Sequence, residues 1–243
     1  MGLKLRVNTF FQVNAEDVYS AYLQFYGPGA VLEDFPCGEQ DQYVLRQRRQ
    51  DWTILEWDGG WEWLVRRQAE LHVSNLLKCR GFLLFVFDGD YWGYEYFSSG
   101  TILDHFVQVE KPCDGADWFP GQNTSGKPDL IAGEFPWLSK ADIANYFVRN
   151  PIDDIAEPNP GESQIEYDRR IWAEHQRLNV PARDGDEFKR FDECAILDFM
   201  RLLGIPVELR GKRVTFIAPE YKRFFVGPEV HAGGPARRAG CER

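Results

Sequence analysis

The sequence predicts an α+β protein: a mainly antiparallel sheet with two packed helices, then a loop-rich, mostly helical C-terminal part ending in a β-hairpin. Three observations predict it. Phe82-Leu83-Leu84-Phe85-Val86-Phe87 is continuously apolar, as a strand covered on both faces should be. Asp88-Gly89-Asp90 and Ser98-Ser99-Gly100 then punctuate two further runs, Tyr91 to Phe97 and Thr101 to Val109, which makes a three-stranded meander. Two stretches with apolar residues at helical spacing precede it, each closed by a glycine-bearing segment.

Taken in order, Leu3, Leu5, Val7 and Phe11 share one face of an opening strand, with polar residues between them on the other. Asn14 caps a helix, and Glu16 and Asp17 suit its positive end. Val18, Tyr22 and Phe25 form its inward stripe, and Gly27-Pro28-Gly29 ends it. Short strands are expected at Ala30 to Phe35, Tyr43 to Arg48 and Trp52 to Trp57. Asp58-Gly59-Gly60 turns the chain into a second helix, Trp61 to Lys78, with Gly81 placed to take a left-handed cap. After the meander, Pro112 to Pro136 is rich in Gly, Pro, Asp, Asn and Ser and reads as a linker or long loop.

Ser139 and Asp142 begin a short helix through Phe147 by capping-box logic. Residues 150–168 are acidic and proline-bearing, and helices follow at Ile165 to Leu178 and Phe191 to Leu203. In the latter, Cys194, Ile196, Leu197, Met200 and Leu203 supply the apolar face. Val207 to Leu209 and Arg213 to Ile217 flank Arg210-Gly211-Lys212 as a hairpin. The expected division is therefore a sheet domain at 1–112, a linker at 113–136, a helical domain with hairpin at 137–226 and a disordered tail at 227–243.

The chain's 243 residues carry 28 Lys+Arg against 38 Asp+Glu, a formal net charge of −10. An acidic balance disfavours nucleic-acid and anionic-membrane binding, which need a positive field. The excess is uneven: residues 113–168 are net −8, whereas residues 169–243 are net +4. No apolar run approaches the roughly 20 residues of a membrane span. The N-terminus turns polar too soon for a signal peptide, and position 6 is Arg6, which breaks a myristoylation pattern. The five cysteines are scattered, with no C-x-x-C pair, so the expectation is a cytoplasmic protein with reduced thiols.

Several motif-like stretches fail on chemistry. Gly121 to Lys127 approaches a phosphate-binding loop, but Pro128 replaces the hydroxyl residue that would hold Mg²⁺. Asp88-x-Asp90-x-Trp92-Gly93 opens like a calcium loop, yet Trp92 and Ser99 stand at two ligand positions. His72, His105, His175 and His231 are dispersed, and His72 lies two helical turns from Cys79, too far for a nucleophile–base hydrogen bond. No catalytic residue, metal ligand set or cofactor is expected. The sharper expectation is a recognition strip: Trp92, Tyr94 and Tyr96 at alternate strand positions, rimmed by Asp90 and Glu95. Its competing reading is an enzyme or small-ligand binder using Asp88, Asp90, Asp104 and His105. A purely structural subunit is the third reading.

The stretch Gly81 to Phe106, an apolar strand, an Asp-Gly turn, an aromatic strand and a second glycine turn, resembles the sheet of bacterial immunity proteins that neutralise polymorphic toxins. That superfamily usually begins with helices, whereas this chain begins with a strand, and no functional residue carries over. The resemblance implies an inhibitor of a basic toxin or nuclease. Opposite fields would accelerate such an association.

Overall fold

The computed structural model describes residues 5–27, 31–32, 41–48, 51–58, 63–87, 91–109, 123–152, 158–210 and 213–226. Its main sheet has the strand order β2-β10-β3-β4-β1-β5-β6-β7. These are β1 Leu5–Phe11, β2 Val31–Leu32, β3 Asp41–Arg48, β4 Trp52–Asp58, β5 Arg80–Phe87, β6 Tyr91–Ser98, β7 Thr101–Val107 and β10 Glu220–Val226. A separate antiparallel pair joins β8 Val207–Arg210 to β9 Arg213–Phe216. The helices are α1 Ala15–Tyr26, α2 Trp63–Leu77, α3 Pro128–Glu134, α4 Lys140–Ala144, α5 Gln164–Leu178 and α6 Ala195–Leu202. None of the described helices is long and apolar enough to cross a membrane. The α+β class, the antiparallel pairing and the hairpin all stand as the sequence predicts.

The chain divides into two compact units, Arg6–Leu83 with Tyr96–Leu103 and Ile217–Arg243, and Met1–Leu5 with Leu84–Glu95 and Asp104–Phe216. In the first unit, α1 begins as expected, with the Asn14 side chain accepting from the Asp17 N–H. The helices α1 and α2 pack on one another. The first strand departs from the expected alternation, because both its faces are covered. Phe10 meets Tyr22 of α1 edge-on at 6.3 Å, and Phe11 meets Trp52 at 4.9 Å. Asn8 is buried with Phe10, which is tolerable because its Nδ2 donates to Glu70 Oε1 of α2 at 2.5 Å. The Tyr22 hydroxyl donates to the same oxygen at 3.2 Å.

Two local expectations are corrected here. The left-handed residue that closes α2 is Lys78, at φ 50, and not Gly81. Gly81 instead lies in β5, where a Cβ would fall 1.9 Å from the Thr9 carbonyl oxygen, so only glycine lets the backbones approach. The strand β10 was not anticipated. It pairs antiparallel with β3, Arg223 opposite Val44, and with β2, Phe225 opposite Leu32.

In the second unit an aromatic core gathers around Phe199 of α6, with the rings of Trp92, Tyr94, Tyr146 and Phe147 all within 5.8 Å of it. Part of the expected loop is helical: Pro128 occupies the first position of α3, where a missing N–H costs nothing. The residues just before it lie along β7. Val107 N–H donates to the Thr124 carbonyl and Gly126 N–H to the His105 carbonyl, at 3.1 and 2.9 Å. They thereby satisfy backbone groups that an edge strand leaves open.

Candidate functional site

The expected recognition strip lies in the interior. Trp92, Tyr94 and Tyr96 are 1%, 0% and 0% exposed, so no partner touches them in the folded chain. Alternation does set them on one face of β6. Phe199 of α6 packs on Trp92 and Tyr94, which Phe106 of β7 flanks, and Phe82 of β5 lies beside Tyr96 at 4.9 Å. Glu95, placed at the rim by the sequence reading, is 1% exposed. Asp88 and Asp90 lie outside the described residues. The whole strand is buried on both sides, and a run holding one charged residue among seven already carries that signal.

The meander's remaining polar groups meet as two pairs on opposite faces. Tyr94 donates its hydroxyl to Asp104 Oδ2 at 2.7 Å, and the Lys127 backbone N–H donates to the same oxygen at 2.8 Å. Burial, with the Asp104 charge behind it, holds the Tyr94 hydroxyl far above its ordinary pKa, so it acts as a fixed donor. On the other face Glu95 Oε1 stands 3.7 Å from His105 Nδ1. The structure thus joins Tyr94 with Asp104 and Glu95 with His105, but does not bring the two carboxylates together. Among the described residues no three His, Cys, Asp or Glu side chains are placed to hold a metal. Cys79 is buried, and that burial pushes its thiol up to about 11, which keeps it protonated and unreactive.

The strongest electrostatic feature lies in a segment the sequence reading passed over. Residues 184–193 hold five carboxylates, Asp184, Asp186, Glu187, Asp192 and Glu193, against Lys189 and Arg190. Asp186 Oδ2 accepts from the Tyr146 hydroxyl at 2.7 Å and from the Arg183 N–H at 2.9 Å. Asp198 of α6 is buried and accepts from the Phe188 N–H at 2.8 Å and from Arg201 Nη1 at 2.7 Å. Arg201 also reaches Glu187 at 2.9 Å.

The field of these groups registers on their neighbours. The Cys194 thiol is pushed up to about 12, first by burial and then by the charges of Asp192, Glu193 and Glu187. Tyr146 is raised by burial, by its bond to Asp186 and by the Asp186 and Asp198 charges. Asp198 itself is raised, chiefly by burial and further by Asp186, despite its two donors. Burial is the first cause in all three cases; neighbouring carboxylates add to it at Cys194 and Tyr146, whereas at Asp198 the Arg201 bond works against it. The readable signal was the density of Asp and Glu in Asp184-Gly185-Asp186-Glu187 and Asp192-Glu193, which the search for an apolar helix face bypassed. Compared with family models, the curated proteins and the solved structures, the chain matches none of them.

Proposed function

We propose that this chain is a non-enzymatic protein-recognition module that binds a basic protein, with the acidic segment 184–193 as its electrostatic contact. The observation that supports it is the gathering of five carboxylates in residues 184–193 of a chain whose net charge is −10. Such a field steers a cationic partner and orders its approach, and Asp184, Glu187 and Asp192 are exposed, Glu187 meeting a partner by exchanging its ion pair with Arg201. An inhibitor of the immunity type, neutralising a basic toxin or nuclease, is the specific form of this reading. A cytoplasmic setting accords with the free thiols of Cys79 and Cys194. Catalysis by the meander carboxylates has less support, since Asp104 is occupied by Tyr94 and Lys127.

The test is affinity capture from the source cells at low ionic strength, read against salt. A basic protein retained in stoichiometric amount and released as salt rises is the expected result. The variant D184N/E187Q/D192N/E193Q should lose at least about tenfold in affinity for it, the equivalent of roughly 1.4 kcal/mol. Undiminished retention by that variant, or recovery of no basic protein, overturns the reading.

A further inference from the structure

The helix α5 carries a face that none of the described residues covers. Its start is firmly set by a capping box, Ser163 accepting from the Glu166 N–H while the Glu166 side chain accepts from the Ser163 N–H. Ile171 is its one buried residue. On another side Ile165 and Trp172 are 65% and 55% exposed. They are seven residues apart, two turns, so they lie on one stripe about 10 Å along the axis. The Trp172 ring is held in place by stacking on His175 at 5.2 Å, which makes it a rigid anchor.

Between the two apolar residues stand Asp168 and Arg169. The other arginines of the helix are satisfied locally, Arg170 by Glu162 and Arg177 by Glu174. Arg169 has no carboxylate partner among the described residues. Asp168 has no cationic partner among them either, accepting only from Gln164 Nε2 at 2.8 Å. One stripe of one helix therefore presents, in order, an apolar residue, an unmatched anion, an unmatched cation and an apolar residue.

That order is its own complement when read backwards. We propose that α5 is a self-association surface on which a second copy of this chain docks, helix against antiparallel helix, about a two-fold axis between positions 168 and 169. In this register Ile165 faces the partner's Trp172, Asp168 faces the partner's Arg169, and symmetry repeats both contacts. Antiparallel helices approach to about 8–10 Å, close enough for both pairs to meet. A single helix pair buries little surface, so the dimer is weak and concentration-dependent.

The test is sedimentation velocity on the full chain over a micromolar to millimolar series, with charge reversals. The native chain shifts toward the dimer mass as concentration rises. D168R and R169D each set like charges against each other across the axis, and each should weaken the dimer at least tenfold. The double variant D168R/R169D restores opposite charges in the same register and should recover dimerisation, which an unfolded chain could not do. W172A removes the apolar anchor and should leave a monomer. A native chain that stays monomeric, single reversals that still dimerise, or a double variant that fails to recover each overturn the proposal.

Discussion

At the scale of single residues, two positions carry effects far larger than their side chains suggest. Gly81→Ala drives a methyl group into the Thr9 carbonyl oxygen and to within 3 Å of the Phe97 ring, and neither neighbour is a flexible side-chain end. The expected loss of stability is about 3 kcal/mol or more, read as a lower urea midpoint. The second position is Cys194. Its thiol titrates at about 12 and that of Cys79 at about 11, whereas both would titrate near 9.0 in an unfolded chain. The unfolded chain therefore releases these protons first as pH rises. Stability present below pH 9.0 is lost progressively toward 12. The slope is at most about 1.4 kcal/mol per pH unit for each thiol. Urea titrations from neutral pH to about pH 11 should show the loss, and C79A/C194A should lessen it, leaving the share of the raised Tyr94 and Tyr146; an unchanged slope would refute the assignment.

At the scale of elements, α5 shows how a helix with little buried surface is held. Its N-terminus depends on polar chemistry: the Ser163–Glu166 capping box, and Glu162, whose carboxyl is held down to about 2 by Arg170 and the Asn159 N–H. A carboxylate with a lowered pKa contributes stability above its unfolded value of 4.5 and loses it as pH falls toward 2. Hydrogen-exchange protection factors in the first turn of α5, corrected for the intrinsic rate at each pH, should therefore fall as pH drops below about 4, before those of the aromatic core. Ser163→Ala should cost about 1 kcal/mol of helix stability and bring the same loosening at neutral pH.

Elements were legible in the sequence where local chemistry alone decides them. The Asn14 and Ser139 caps are closed by N–H groups three residues on, and the Ser99-Gly100 turn is marked by its own residues, both at positive φ. By contrast α3 was hidden because Pro128 reads as a breaker unless it falls in the first turn. Glu220–Val226 mixes charged and apolar residues, and its strand conformation is fixed by partners far away in sequence. Periodicity revealed which face Trp92, Tyr94 and Tyr96 share. It could not reveal what packs against that face, because Phe199 lies more than a hundred residues later.

At the scale of the whole molecule, charge and apolar surface are sorted into different tasks. The large aromatics of the meander serve cohesion, while carboxylates gather on the segment before α6 and an exposed apolar pair stands on α5. The two proposals rest on separate surfaces and on different physics, one long-ranged and sensitive to salt, the other short-ranged and dependent on register. Composition made the acidity visible at once, and Asp192-Glu193 already stand beside Cys194 in the sequence; the fold adds Glu187 to them.

The pairing of β10 with β3 also governs how the molecule must be made. Gln47 waits for the carbonyl of Pro219, more than 170 residues downstream, to close that margin of the sheet. During synthesis β3 emerges with an open flank and keeps it until residues 220–226 have left the ribosome. A chain stopped short at the hairpin would leave that flank bare, a template for joining another unfinished chain.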